Sequence, residues 1–219
     1  FDHSLRTLEN ALDASRSVGA HFIYMSSSMV YGNFDGQTVQ EDHKLDPIGI
    51  YGTLKLCGEQ IVKAYNQVFE TPYTIIRPSA LYGERCVSRR VGQIFIENAI
   101  RGKKISINGD GEEKLDFTYI KDLVEGISLC IENPNSKNQI FNLTYGLGRK
   151  INELIEILKI KFPNIEIEKK DREKFTPERG TLDISKAKNL LKYSPNFPIE
   201  KGYLHYIDWY SEFFKNFDN

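Results

Sequence analysis

The sequence predicts an α/β fold in which a parallel sheet carries a smaller α/β cap. Two short apolar runs, residues 21–25 and 73–77, are of the kind that forms strands buried on both faces. Between them, residues 51–69 place apolar side chains at helical spacing. Strand, helix and strand in this order are typical of a βαβ unit and therefore of a parallel sheet.

The composition indicates a soluble globular protein. The 219 residues include 29 Lys and Arg against 30 Asp and Glu, and the formal net charge of −1 gives no reason to expect nucleic acid or a membrane as a partner. No apolar run approaches the roughly 18 residues that span a bilayer. The first residues have neither the basic flank nor the apolar stretch of a signal peptide, so we expect a cytoplasmic protein.

The cysteines and histidines predict no metal site. Cys57, Cys86 and Cys130 are far apart and show no Cys-x-x-Cys spacing, which indicates reduced thiols in the cytosol. The four histidines are scattered, and no His/Cys cluster is present to hold zinc. We therefore expect no metal.

The first part of the chain supplies the predicted parallel unit. Leu5, Leu8 and Leu12 indicate a helix that Gly19 ends. A serine turn at 26–28 follows the first strand, and Pro78 closes the second. These elements alternate as a doubly wound sheet requires.

The rest of the chain is predicted to add elements outside the sheet, then one more strand of the sheet, and finally the cap. Asp122 is expected to cap the first turn of its helix. The predicted elements are a helix at 91–101, a strand at 105–107, a turn at 108–111, a helix at 121–132, a strand at 139–143, a helix at 151–161, a Pro-bounded charged segment at 165–172, and helices at 185–191 and 203–214.

Tyr51 and Lys55 are candidate catalytic residues because they are four positions apart on a predicted helix and so lie on one face. A nearby ammonium favours the anionic form of a phenol, which makes the phenol a better base. The same spacing also occurs by chance on many helices. The pair therefore needs a second feature to carry a function.

The serine turn is that second feature. Ser26, Ser27 and Ser28 stand just after a buried strand, and ligands of open α/β sheets bind at the carboxyl ends of the strands. A serine hydroxyl placed there could share a substrate alcohol with Tyr51. Taken alone, the triplet favours a polar turn or a helix cap.

Together these motifs resemble the extended short-chain dehydrogenase/reductase family, which contains NAD(P)-dependent nucleotide-sugar epimerases, dehydratases and reductases. The resemblance covers essentially the whole chain. Its motifs are Ser-Ser-Ser-x-Val-Tyr-Gly at 26–32, Tyr-x-x-x-Lys at 51–55, Ile-Arg-Pro at 76–78, Leu-Tyr-Gly at 81–83, Gly-Asp-Gly at 109–111, Asp-Phe-Thr-Tyr-Ile-Lys-Asp at 116–122 and Arg-Gly-Thr-Leu-Asp-Ile-Ser-Lys-Ala at 179–187.

The resemblance implies a role for each candidate site residue. Tyr51 would be the acid/base for a sugar hydroxyl, Lys55 would favour its phenolate and bind the nicotinamide ribose, and Ser27 would hydrogen-bond the sugar oxygen. Ser26 and Pro78 would complete the cofactor contacts with Tyr51 and Lys55. Ser28 would contact the substrate, and Arg179 would either bind its diphosphate or be a solvated surface charge.

The sequence departs from the family pattern in three places. The Gly-x-x-Gly-x-x-Gly turn that holds the cofactor pyrophosphate is absent, so the resemblance implies only the C-terminal part of a Rossmann-like sheet. Met29 stands where dehydratases and decarboxylases carry an acid. Ala80 and Leu115 replace an Asn and an Arg that contact the substrate diphosphate in many 4-epimerases.

These observations lead to the following expectations. Residues 1–83 and 116–145 form the incomplete NAD(P)-binding Rossmann domain, and residues 84–115 and 146–219 form the nucleotide-sugar-binding cap. The expected function is that of an NAD-dependent nucleotide-sugar 4-epimerase or a related oxidoreductase that oxidises a sugar hydroxyl transiently. The expected assembly is a homodimer, and NADP is left open as the cofactor. A one-way 4-keto-sugar reductase and a non-catalytic dimerisation module remain the alternatives.

Overall fold

The computed structural model describes residues 2–172 and 175–217. Within these residues the helices are α1 (Asp2–Ser17), α2 (Ile50–Phe69), α3 (Val91–Ile100), α4 (Ile120–Glu132), α5 (Ile151–Lys161), α6 (Ser185–Leu191) and α7 (Ile199–Phe217). The strands are β1 (Phe22–Met25), β2 (Tyr73–Arg77), β3 (Leu81–Tyr82), β4 (Ile105–Asn108), β5 (Lys114–Asp116), β6 (Thr118–Tyr119), β7 (Gln139–Asn142), β8 (Gly148–Lys150) and β9 (Ile167–Lys170).

The predicted parallel sheet is confirmed. Strands β1, β2 and β7 lie side by side in that order, and both pairings are parallel. Met25 of β1 is opposite Ile76 of β2, which in turn is opposite Phe141 of β7. The carboxyl ends of all three strands therefore meet at one edge of the sheet.

Helices cover both faces of this sheet, as in a doubly wound fold. Successive side chains of a strand point to opposite faces. Ile75 packs with Leu8 and Leu12 of α1 and Val62 of α2. Its neighbour Ile76 packs against a second group from α4, β7 and α6 that includes Leu123, Phe141, Ala187 and Leu191. The apolar character of β2 on both faces follows from this double burial.

A separate core unites the remaining elements. Aromatic side chains of α7 dominate it, among them Tyr203, Tyr206 and Tyr210, and they pack against residues of α3, α5 and β4. Strand β4 pairs in parallel with β9, and β5 pairs antiparallel with β8. The segment predicted only as charged thus contains β9, three of whose four side chains are exposed.

Two features differ from the sequence analysis. The carboxylate of Asp122 does not cap its own helix: its two oxygens accept from the backbone N–H groups of Asn196 and Phe197, at 2.7 and 3.1 Å. Helix α4 begins after Tyr119 without a side-chain cap. Helix α6 lies within the segment assigned to the cap, yet it packs on the sheet beside β7. The domain division itself stays a prediction.

In the part of the chain that the structure describes, no helix is long and apolar enough to cross a membrane. The three cysteines are free thiols, with Cys130 buried and the other two partly buried.

Candidate active site

A cavity of about 320 Å³ opens at the carboxyl ends of β1 and β2. Its wall combines the serine turn after β1, the start of α2, the loop after β2 and two arginines from distant parts of the chain. The lining residues include Ser26, Ser27, Ser28, Met29, Tyr51, Pro78, Ser79, Ala80, Arg90 and Arg179. The structure thus brings six of the seven predicted site residues to one cavity, with Lys55 just outside its lining.

The serine turn is a short 3-10 helix (Ser28–Val30) that Ser27 caps. The Ser27 hydroxyl accepts a hydrogen bond from the Met29 N–H at 3.2 Å. The Ser28 N–H donates to the carbonyl of Pro78 at 2.9 Å, which ties the turn to the loop after β2. These bonds hold Ser27 and Ser28 in a fixed backbone position at the cavity wall.

Tyr51 and Lys55 occupy the first two turns of α2. The Tyr51 side chain is half exposed, and the Lys55 Nζ lies 5.9 Å from the centre of its ring. Lys55 Nζ also donates to the carbonyl of Met25 at 2.7 Å, which holds the ammonium beneath the end of β1. Burial lowers the pKa of Lys55. The predicted pairing of a phenol with a neighbouring ammonium is present in this geometry.

Helix α2 approaches the serine turn so closely that only glycine fits at the contact. A Cβ atom on Gly52 would lie 2.6 Å from the carbonyl oxygen of Met29. Gly52 follows Tyr51 directly, so this contact sets how far the start of the helix stands from Ser27 and Ser28.

The sequence analysis missed a buried ion pair behind the cavity. Glu59, two turns along α2 from Tyr51, and Arg77, the last residue of β2, are both almost fully buried and lie 2.7 Å apart at Oε2 and Nη2. The Ser26 hydroxyl donates to Glu59 Oε1 at 2.5 Å. The Ser26 side chain therefore points into this pair, and its predicted role in cofactor binding stays a prediction. Glu59 continues the four-residue spacing of Tyr51 and Lys55, which is the signal that could have revealed it.

Arg179 reaches the cavity from the long segment before α6. One Nη contacts Glu113 Oε1 at 3.4 Å, while its buried Nε has no hydrogen-bond partner among the described residues. Burial lowers the pKa of Arg179, Glu113 opposes that effect, and the positive charges of Arg90 and Arg172 lower the pKa further. A buried, partly unpartnered guanidinium beside other cations favours an anionic ligand.

Arg90 is a second arginine at this site that the sequence analysis missed. It directly precedes α3, and it lines both the main cavity and an adjoining one of about 190 Å³. Ala80, Leu115 and Arg179 line the smaller cavity as well. Arg90 thus lies at the same cavity as Ala80 and Leu115, the two departures from the family pattern noted in the sequence.

A doubly wound parallel sheet with a serine turn and a Tyr-x-x-x-Lys helix at its carboxyl edge defines a Rossmann-fold enzyme of the short-chain dehydrogenase/reductase class. The sequence model of the NAD dependent epimerase/dehydratase family matches residues 1–144. The chain belongs to this family.

Two individual relatives of the chain are named as UDP-glucose epimerases. An uncharacterized UDP-glucose epimerase of Bacillus subtilis, YtcB, is 30% identical over 215 residues, which cover 97% of this chain and 68% of the relative. A putative UDP-glucose 4-epimerase of Methanocaldococcus jannaschii is 33% identical, covering 91% of this chain and 66% of the relative. The chain spans about two thirds of the length of these relatives.

Solved structures share the fold. The crystal structure of UDP-glucuronic acid 4-epimerase from Bacillus cereus, in complex with UDP-glucuronic acid and NAD, superposes with a TM-score of 0.91 at 28% sequence identity. The match covers 96% of this chain and 68% of that one. The fold class expected from the sequence is thereby confirmed.

Proposed function

We propose that this chain carries the catalytic and substrate-binding residues of an NAD-dependent nucleotide-sugar 4-epimerase. The observation that carries the proposal is the cavity at the carboxyl ends of β1 and β2, where Tyr51, Ser27 and Ser28 share one wall and Lys55 lies behind Tyr51. The Bacillus subtilis and Methanocaldococcus relatives, both designated UDP-glucose epimerases, support the same reaction class.

The residues at the cavity fit a bound nicotinamide ribose. The buried Ser79 hydroxyl has no partner among the described residues, although it lies in the cavity wall directly after Pro78. Lys55 directs one of its three N–H donors to Met25, and its ammonium stays beside Tyr51. Tyr51, Lys55, Ser26 and Pro78 would hold the nicotinamide ribose. When bound there, NAD would supply reversible hydride transfer at the sugar carbon.

The acid–base work falls to this chain's own side chains. Tyr51 takes the proton from the C4 hydroxyl of the sugar as the carbon is oxidised. It returns the proton after the keto sugar has rotated, so that C4 is reduced from its opposite face. Lys55 keeps its ammonium beside the Tyr51 ring, 5.9 Å from its centre. Ser27 donates a hydrogen bond to the same sugar oxygen and so holds it within reach of Tyr51.

The substrate diphosphate is bound by Arg179 and Arg90 in this proposal. Their guanidinium groups line the same two cavities, and charge-assisted hydrogen bonds to phosphate are stronger than neutral ones. Ser28 contacts the sugar. The side chain of Met29 at this wall has no acid–base chemistry, which argues against dehydration or decarboxylation and favours epimerisation.

We further propose a cytoplasmic homodimer. Helices α1 and α2 pack on the same face of the sheet and leave apolar side chains exposed near their ends, among them Val18, Val68 and Phe69. Burial of these side chains against a second copy would remove them from water. The free cysteines are compatible with a reducing compartment. Light scattering at micromolar concentration measures the oligomeric state.

The proposed function is tested by replacing Tyr51. Tyr51→Phe removes one hydroxyl from a half-exposed side chain, so the fold should persist while C4 epimerisation of UDP-hexoses in the presence of NAD falls by about 10²-fold or more. The control is Tyr65→Phe, since Tyr65 lies on the same helix and its hydroxyl contacts Asp13 away from the cavity. Retention of activity in Tyr51→Phe would show that Tyr51 is not the acid/base.

A further inference from the structure

A buried network crosses the carboxyl edge of the sheet and joins all three parallel strands to α2. It contains Ser26, the residue after β1, Arg77, the last residue of β2, and Asn142, the last residue of β7. Glu59 of α2 and Tyr31 complete the connections between them. Residues from four elements that are distant in sequence therefore share one set of hydrogen bonds.

Glu59 is the centre of this network. Its Oε1 accepts from the Ser26 hydroxyl at 2.5 Å and from Arg77 Nε at 2.9 Å, and its Oε2 accepts from Arg77 Nη2 at 2.7 Å. The Glu59 side chain is fully buried. The carboxylate thus fixes α2 against the ends of β1 and β2 at the same time.

Arg77 extends the network to the third strand. Its Nη1 donates to the Tyr31 hydroxyl at 2.9 Å and to the carbonyl of Glu41 at 2.8 Å. The Tyr31 hydroxyl then donates to Asn142 Oδ1 at 2.7 Å. Burial lowers the pKa of Arg77, but the hydrogen bonds and charge of Glu59, together with Tyr31, outweigh this and keep the guanidinium charged.

Stability alone gives little reason for such a pair. The cost of removing two charges from water largely cancels their attraction, and apolar side chains of similar volume often replace a buried ion pair without loss of stability. Unlike an apolar contact, a buried ion pair fixes the relative orientation of its partners, because its hydrogen bonds form only at restricted distances and angles.

This fixed orientation affects the relative position of Ser27 and Tyr51. Ser26 is joined covalently to Ser27, and Glu59 lies about two helical turns from Tyr51 on α2. The Glu59 carboxylate therefore joins the turn that carries Ser27 to the helix that carries Tyr51. The close contact of Gly52 with Met29 is the second such point, at the other end of the same stretch of helix.

We propose that Glu59, paired with Arg77, is a positioning residue that sets Ser27 relative to Tyr51. The inference rests on the proposed function, because it assumes that Ser27 and Tyr51 act on one sugar hydroxyl. Displacement of a catalytic group by about 1 Å can cost about 10²-fold in rate. Loss of the network should therefore reduce turnover while substrate binding by the arginines persists.

The test is the double variant Glu59→Met with Arg77→Met. Replacing both partners avoids the unpaired buried charge that a single substitution would leave. Ser26→Ala is the second variant: it keeps the ion pair and removes the hydroxyl that links Glu59 to the serine turn. Because Ser26 is also a proposed cofactor contact, this variant is read by hydrogen exchange without NAD. Lys161→Met with Asp208→Met is the matched control, because it removes an ion pair of 2.8 Å between α5 and α7 without changing the net charge.

Two readouts separate positioning from general stability. The first is hydrogen exchange of the Ser28, Val30 and Tyr31 amides, which are bonded to Pro78, Ser27 and Ser28. We expect their exchange to rise by about tenfold or more in the double variant and in Ser26→Ala, while amides of α5 keep their rates. The second is kinetics: kcat should fall by about 10²-fold in the double variant, with KM for the UDP-sugar within about threefold of the parent value.

Unchanged exchange at Ser28, Val30 and Tyr31 together with unchanged kcat would overturn the proposal, as would an effect confined to KM. If the double variant does not fold, hydrogen exchange of Ser26→Ala, measured without NAD, decides the question. The result for Tyr51→Phe keeps the two proposals apart. An inactive Tyr51→Phe beside fully active network variants would overturn only the positioning role, whereas an active Tyr51→Phe would overturn the proposed function itself.

Discussion

Two arginines supply the positive charge of the candidate site. Arg90 and Arg179 line the same cavities, and Arg179 has a buried Nε without a partner among the described residues. We predict that Arg179→Met and Arg90→Met each weaken UDP binding by about tenfold or more, because a hydrogen bond to a charged group contributes about 1.5–3 kcal/mol. Isothermal titration calorimetry of UDP into the chain measures the effect.

Uridine provides the ligand control for this prediction, since it lacks the diphosphate and should bind the parent and both variants alike. Arg101→Met provides the protein control, because the Arg101 guanidinium stacks on Phe214, outside the two cavities. If both cavity variants bound UDP as tightly as the parent, neither arginine would be part of a diphosphate site.

Individual site residues differ in how readily the sequence reveals them. Tyr51, Ser27 and Arg179 were predicted from motifs, and the structure places all three at one cavity. Arg90 has no motif of its own, and its relevance appears only when the fold brings it beside Ala80 and Leu115. Glu59 was missed for a similar reason: its spacing from Lys55 is visible, but its partner Arg77 belongs to another element.

Among the elements, α2 depends most on close approach to its neighbours. An alanine normally stabilises a helix relative to glycine by about 0.5–1 kcal/mol. We predict the opposite sign for Gly52→Ala, a loss of about 1–3 kcal/mol in the free energy of unfolding, because its Cβ would lie 2.6 Å from the Met29 carbonyl.

Urea unfolding measures whether Gly52→Ala lowers or raises the free energy of unfolding. Gln67→Ala, at an exposed position near the end of the same helix, should change the free energy of unfolding by no more than about 0.5 kcal/mol. A stabilised Gly52→Ala would mean that α2 stands farther from the serine turn than the structure shows.

The segment that carries Arg179 is held to the sheet region through Asp116 at the end of β5. Its carboxylate accepts from the Leu182 N–H, the Thr144 hydroxyl and the Gly146 N–H, at 3.0 to 3.1 Å. Burial raises the pKa of Asp116 to about 6 from its ordinary 3.8, against the opposing effect of these hydrogen bonds. The folded state therefore binds this proton more tightly than the unfolded chain does.

A pH dependence of stability follows from Asp116. The contribution of Asp116 to the free energy of unfolding is fully present below about pH 4 and is lost as the pH rises through about 6. For a pKa shift of this size the change is about 3 kcal/mol. Asp116→Asn cannot titrate, so we expect the parent to lose about 3 kcal/mol more than this variant between pH 3.5 and 6.5. Urea unfolding across that range measures both curves, and parallel curves would contradict the prediction.

Element boundaries followed from the sequence where periodicity is strong. The bounds of β2, α5 and α6 agree with prediction because their apolar patterns are long or clearly interrupted. Strand β9 was missed because its partner, β4, lies about sixty residues earlier and three of its own four side chains are charged. The capping role expected of Asp122 was wrong because the backbone of Asn196 and Phe197 provides the partners of its carboxylate.

At the scale of the whole molecule, the sheet and the aromatic core meet at the candidate site. The sheet supplies the serine turn and the start of α2, while Arg90 and Arg179 come from segments beyond residue 83. The fold class was predictable because a βαβ pattern specifies a parallel sheet locally. The convergence of the two parts on one cavity depends on tertiary packing that no local pattern encodes.

We propose that this site inverts a sugar at C4 by reversible hydride transfer, with Tyr51 moving only the hydroxyl proton. The most direct measurement is incubation of the chain with NAD and a UDP-hexose in D2O, followed by NMR of the product. We predict the C4 epimer with no deuterium on any sugar carbon, because the hydride is returned and the hydroxyl proton alone exchanges with solvent. Deuterium at C4 or C5, or no C4 epimer with any UDP-hexose tested, would contradict it.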